Sequence, residues 1–181
     1  YFITEFQNLS IYENQPVGTQ IAVIEANDAD SGDYGKVTFL IDRLSSQGKF
    51  TIDAETGVLS VADKIDRERK SSYMIVVEIW DNYQFGASSG ESRNAFKQFY
   101  IKILDENDHA PVVEVPSQKE PSCSSVTEFH DIKEIVTSIR VSDADDPTSP
   151  NGQVRFEVRG GTGTDLFVLK QINTWIANVF A

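Results

Sequence analysis

The chain has 181 residues, of which 40 % are hydrophobic, with 28 acidic against 16 basic side chains and a formal charge of −12. That length allows one large domain or two of about 100 residues, each with enough apolar side chains for a packed core. The charge argues against a nucleic-acid partner, whose phosphates it would repel, and is compatible with a solvated acidic surface or with bound cations. The one cysteine, Cys123, permits no internal disulfide, and no Cys/His cluster is spaced for zinc. No apolar run approaches the roughly 20 residues needed to cross a bilayer, and Tyr1-Phe2-Ile3 does not open a signal peptide. The closing stretch "TWIANVFA" reads as the middle of a strand, so the chain is expected to be a piece of something longer.

In chain order, a turn at "NQPVG" (14–18) and an acidic turn at "NDADSG" (27–32) precede the strand "KVTFLI", with Val37, Phe39 and Ile41 on one face. After a further turn at "AETG", "YMIVVEIW" (73–80) alternates strictly, placing Tyr73, Ile75, Val77 and Ile79 together. Trp80, in the same strand, is expected in the core. The polar stretch "QFGASSGESRNAFKQ" (84–98) is expected to be a long hairpin loop, either a mobile tip or a partner-binding loop. "FYIKIL" (99–104) follows, with Phe99, Ile101 and Ile103 on one face, and then "DENDHAP". Further on, "IVTSIRV" offers Ile135, Ile139 and Val141 before a second acidic turn, "SDADDP". Helical periodicity is absent over any useful length, so the spacing predicts an all-β sandwich with Greek-key connections.

Self-comparison shows a repeat. Asp28 and Asp143, Asp30 and Asp145, and Glu13 and Glu128 are each separated by 115 positions. "GKVTFLI" (35–41) and "GQVRFEV" (152–158), like Phe50 and Phe167, are offset by 117, as one period with a two-residue insertion requires. Two related modules are expected, at 1–110 and at 111–181, the second matching only the first part of its partner.

The acids gather at strand ends: Glu13, Asp28 and Asp30, Asp66 and Glu68, Asp81, Asp105 and Asp108, Asp143 and Asp145. Carboxylates brought together repel unless a cation intervenes, and many hard oxygen donors select Ca²⁺. An EF-hand is excluded, because counting from Asp28 or from Asp143 finds neither the glycine at position 6 nor the glutamate at position 12.

Glu13 within "YEN", "DAD" at 28–30, "IDRE" at 65–68, Asp81 within "WDN", and "DENDHAP" resemble, in this order, the motifs of the extracellular cadherin repeat. The resemblance covers the first module and the first half of the second. It implies two tandem seven-strand β-sandwiches joined end to end, with about three Ca²⁺ ions at the linker. The ligands it implies are Glu13, Asp66, Glu68 and Asp108 for the first ion. The second would share Glu13, Glu68 and Asp108, adding Asp105, the Glu106 carbonyl and Asp145. The third would use Asn107, the His109 carbonyl, Asp143, Asp145 and the Asn151 carbonyl. His109 stands where the family has asparagine, and a backbone oxygen suffices there. The second module's counterpart of Asp81 falls past residue 181, so the third site is expected to bind more weakly. Asp28, Asp30 and Asp81 would serve a linker to a preceding module.

The implied function is calcium-dependent cell–cell adhesion on the extracellular side of the plasma membrane. The partners would be other cadherin ectodomains, homophilic or heterophilic, with membrane attachment through a segment outside this chain. No tryptophan lies near the start, so adhesion by swapping an N-terminal strand has no support. Asn8-Leu9-Ser10 is a glycosylation sequon. Two other function classes stay open. One is a recognition module for a receptor, ligand or toxin. The other is a carbohydrate-active enzyme using Asp66 and Glu68, against which stands the lack of an evident aromatic-lined cleft. His109 and His130 are expected to be structural, and no serine or cysteine sits in a nucleophile motif.

Overall fold

A computed structural model describes residues 1–30, 35–81, 93–114, 126–127, 131 and 134–180. The chain separates into two compact units, Tyr1–Glu106 and Asn107–Ala181. The acidic stretch 105–108 thus contributes residues to both units.

The first unit holds strands β1 (Asn8–Tyr12), β2 (Gln20–Val23), β3 (Val37–Ile41), β4 (Phe50–Ile52), β5 (Val58–Val61), β6 (Ser72–Asp81) and β7 (Asn94–Leu104), and a helical turn α1 (Arg43–Ser46). They form a four-stranded sheet in the order β1-β7-β6-β3 and a three-stranded sheet in the order β2-β5-β4. The first strand runs parallel to the last, with Ile11 opposite Ile103, and the other pairings are antiparallel.

Strict alternation decides which face of each long strand is buried. Tyr73, Ile75, Val77 and Ile79 of β6 and Phe99, Ile101 and Ile103 of β7 all point inward. They meet Ile24, Phe50, Leu59, Val61 and Ile65, and Phe50 packs edge-on against Tyr73 at 5.1 Å between ring centroids. Each such side chain adds about 1.5–3 kcal/mol by leaving water. The same alternation corrects one expectation. Trp80 follows Ile79, so it faces outward and is half-buried, its indole nitrogen donating to Glu78 Oε2 at 3.1 Å. The hairpin loop is also shorter than expected, because Asn94 to Gln98 already pair with β6; the rest of that expectation, 84–92, lies outside the described residues.

Local chemistry sets the connections. Asp42 caps α1, accepting the Ser45 amide at 2.7 Å, and the turn ends at Gln47 and Gly48, both with positive φ. Gly57 has φ +68°, and its carbonyl accepts the Ile24 amide. A Cβ there would lie 2.1 Å from the Ile24 carbonyl oxygen, so only glycine fits.

Among the described residues, the second unit holds an antiparallel sheet in the order β10-β11-β9-β8, built from β8 (Val112–Glu114), β9 (Ile135–Ser142), β10 (Val168–Asn173) and β11 (Ile176–Phe180), and a 3-10 turn at Thr164–Leu166. Val141 and Ala177 are its buried apolar residues among those described. "GQVRFEV", which the repeat aligns with β3, forms no strand. Instead of a ladder, its backbone meets a side chain of β10: the Phe156 amide donates to Gln171 Oε1 at 3.5 Å, and Gln171 Nε2 donates to the Val154 carbonyl at 2.9 Å. Among the described residues no helix is long and apolar enough to cross a membrane.

Candidate metal centre

At one end of the first unit, three chain segments converge. The Glu13 amide continues the β1–β7 ladder by donating to the Leu104 carbonyl, and the Asn14 amide donates to Ile65. Asn14 adopts φ 57°, a left-handed conformation asparagine tolerates. These bonds fix the Glu13 side chain in a position that is 0 % exposed. Its Oε2 accepts the Arg67 amide at 2.7 Å and its Oε1 the Glu106 amide at 3.0 Å. Without such bonds a buried carboxylate would cost several kcal/mol.

Glu68 reaches the same place. One of its carboxylate oxygens lies within 4.8 Å of one of Glu13, and its side chain is only 14 % exposed. Burial pushes the Glu68 carboxyl above the usual range, and its contact with the Glu13 carboxylate pushes it further. Arg67 pulls the other way, its guanidinium lying 3.0 Å from Glu68 and 2.6 Å from Asp105. Asp66 sits in the turn after buried Ile65, its Oδ1 accepting the Arg69 amide at 2.9 Å. Gln15 donates to Glu106 Oε1 at 3.3 Å. Glu13, Glu68 and, through Arg67, Asp105 are therefore gathered together, with Asp66 one turn away.

In the second unit, Asp145 is likewise 0 % exposed. Its Oδ1 accepts the His109 amide at 3.3 Å, and its own amide donates to Asp143 Oδ1 at 3.1 Å. The His109 ring nitrogen Nδ1 lies 2.8 Å from Asp108 Oδ1 and 3.3 Å from Asp145 Oδ1. Asn107 is exposed. The turn after Asp145 is closed by Asp146, which accepts from Thr148, and by Ser149 Oγ accepting the Asn151 amide at 3.1 Å. Gly152 abuts this turn so closely that a Cβ would meet the Asp146 carbonyl oxygen at 2.6 Å; Gly35, its equivalent in the first unit, would meet that of Asp30 at 2.2 Å. The repeat thus extends to the glycine behind each "DAD" loop.

Asp28, Asp30 and Asp81 line a hollow of about 280 Å³ in the first unit, together with Tyr1 and Arg93. The Asp30 amide donates to Asp28 Oδ1 at 2.8 Å, and the Arg93 amide donates to Asp81. Asn8 is exposed at the start of edge strand β1. Cys123, Glu128 and His130 lie outside the described residues.

Sequence reasoning missed two parts of this arrangement. Arg67 carries the charge that offsets Glu68 and Asp105, and its signal was its place inside "IDRE". The His109 ring, expected to leave its role to the backbone, engages Asp108 and Asp145. Nothing in the sequence distinguished a ring that turns toward these carboxylates.

The family model for the cadherin domain matches residues 7–104. The cadherin EGF LAG seven-pass G-type receptor 1 of Mus musculus is 31 % identical over 158 residues, covering 86 % of this chain and 5 % of that protein. Protocadherin-16 of Rattus norvegicus is 28 % identical over 175 residues, covering 89 % and 5 %. The chain therefore spans about a twentieth of these relatives' length. Among solved structures, the extracellular domain of protocadherin GammaB4 matches with a TM-score of 0.82 at 24 % identity, over 99 % of this chain and 29 % of that one. Mouse cadherin-23 EC22-24 matches with a TM-score of 0.78 at 26 % identity, over 98 % and 52 %. The strands, the sandwich and these matches agree: the chain belongs to the cadherin family.

Proposed function

We propose that the chain is a pair of cadherin repeats, the first at 1–110 and the second beginning at 111, whose linker is stiffened by Ca²⁺ within a cell-surface adhesion ectodomain. The ligands would be the carboxylates of Glu13, Asp66, Glu68, Asp105, Asp108, Asp143 and Asp145, the Asn107 amide oxygen, and the carbonyls of Glu106, His109 and Asn151. The observation that carries the reading is the pairing of the buried Glu13 carboxylate with that of the largely covered Glu68. Two carboxylates in mutual contact, one with its proton affinity raised by burial, suit a hard divalent cation that neutralises both. When bound, Ca²⁺ supplies that charge. The residues supply the rest: Glu13 is held by two backbone amides, Arg67 holds Asp105, and Asp145 is held by the His109 amide. Extracellular modules bind Ca²⁺ with Kd of about 0.1–1 mM, so millimolar Ca²⁺ would set the stiffness. Asp28, Asp30 and Asp81 would serve a further linker in the same way. The partners would be other cadherin ectodomains, on the extracellular side of the plasma membrane.

Small-angle scattering tests this. With millimolar Ca²⁺ the protein is expected to give a narrow, extended distance distribution that broadens on chelation. Asp108→Ala is expected to broaden it even with Ca²⁺. A distribution indifferent to both would contradict the proposal.

A further inference from the structure

In a chain of net charge −12, one cleft of the first unit runs against the average. It measures about 580 Å³ and is lined by Gln47, Lys49, Asp63, Lys64, Asp66, Arg69, Lys70 and Tyr73. Four cations face two carboxylates there, and both carboxylates are engaged. Asp63 is bound to Lys49 Nζ at 2.6 Å, a hydrogen bond that holds its carboxyl below the usual range, and Asp66 accepts the Arg69 amide. Lys64 and Arg69 are exposed and have no ion-pair partner among the described residues. Lys70 is held over the Tyr73 ring at 4.5 Å, which fixes its ammonium at the cleft wall. Tyr73 itself is 4 % exposed and lines the cleft, and a phenol is protonated at neutral pH.

We propose that this cleft binds sulfate or phosphate esters carried on a polyhydroxylated ring. The Arg69 fork matches ester oxygens in two-point fashion, while Lys64 and Lys70 act as point charges beside it. The Gln47 amide and the Tyr73 hydroxyl offer the neutral donors and acceptors that ring hydroxyls need. A long polyanion lying across the whole unit is disfavoured by the surrounding negative surface, so the ligand engages through a short charged segment. The inference stands apart from the calcium reading, although Asp66 lines the cleft, and is therefore tested in chelating buffer.

The test titrates the full chain with a heparin-derived tetrasaccharide, its desulfated form and myo-inositol hexakisphosphate by calorimetry, at two salt concentrations. Saturable binding of the tetrasaccharide, of the hexakisphosphate or of both is expected, weaker at higher salt and absent for the desulfated sugar; their relative affinities identify the ester. The double variant Lys64→Glu/Arg69→Glu is expected to lose at least about ten-fold in affinity, with its melting temperature in chelator unchanged. Lys102→Glu, exposed on the outer face of β7, is expected to bind as the parent does. No saturable binding of either anion, or an equal loss in Lys102→Glu, would overturn the proposal.

Discussion

Glu68→Gln separates two accounts of the acidic cluster, because its effect should change sign with calcium. One oxygen of each carboxylate lies within 4.8 Å of the other, so at an effective dielectric of about 20 the repulsion between Glu13 and Glu68 is roughly 3 kcal/mol or more. Desolvation of a side chain only 14 % exposed adds to that cost. Arg67 returns much of it, but its guanidinium is divided between Glu68 and Asp105. Burial and the Glu13 carboxylate raise the Glu68 carboxyl, the direction in which the costs outweigh Arg67. A neutral isostere should therefore stabilise the chelated protein by on the order of 1 kcal/mol, a rise of about 4 °C or more in Tm for a unit of this size. In millimolar Ca²⁺ the same substitution removes a ligand charge and should lower Tm. Paired melts of parent and variant, in chelator and in Ca²⁺, measure both. A destabilised variant in chelator would refute the reasoning, since it would mean that Arg67 already satisfies Glu68 as an ordinary ion pair.

Three further outcomes follow from the fold. Ile101→Ala, fully buried on β7 between β1 and β6, should cost about 2–5 kcal/mol, read as a lower denaturant midpoint. Gly57→Ala should cost roughly 2 kcal/mol or more in the same assay, because φ is +68° and the new Cβ would strike the Ile24 carbonyl. Asp53 has its carboxyl lowered, chiefly by the Thr56 hydroxyl and also by backbone amides. Its folded value lies below the unfolded one, so its contribution is present at neutral pH and lost as pH falls through the folded value. Thr56→Val should move the Asp53 midpoint upward in an NMR titration, and an unmoved midpoint would refute that cause.

What could be read from the sequence was whatever alternation and spacing encode. The inward faces of β6 and β7 follow from period-two patterns long enough to be unambiguous, and the sandwich follows from them. Strands β1, β2, β4 and β5 are three to five residues long, too short for a pattern to declare itself, and their places are fixed by the ladders they join. Trp80 was misplaced because composition outweighed register: a large aromatic ring suggests a core, but its neighbour Ile79 had already taken the inward direction. "GQVRFEV" has the pattern of a strand and does not form one, so alternation alone does not make a ladder. At the acidic cluster, motif spacing pointed to Glu13 and Glu68, which the fold brings together. It could not show that Arg67 divides its charge between Glu68 and Asp105, or that the His109 ring turns toward Asp108 and Asp145. Those contacts depend on side-chain directions set by tertiary packing.

The most direct test of the calcium reading is calorimetric titration of Ca²⁺ into the fully chelated protein. Saturable heat is predicted, with more than one ion bound per chain and sub-millimolar to millimolar affinity. At ten times its Kd, each site bound only in the folded state should add about 1.4 kcal/mol of stability. A flat titration at millimolar Ca²⁺, with the melting temperature unmoved, would contradict the account.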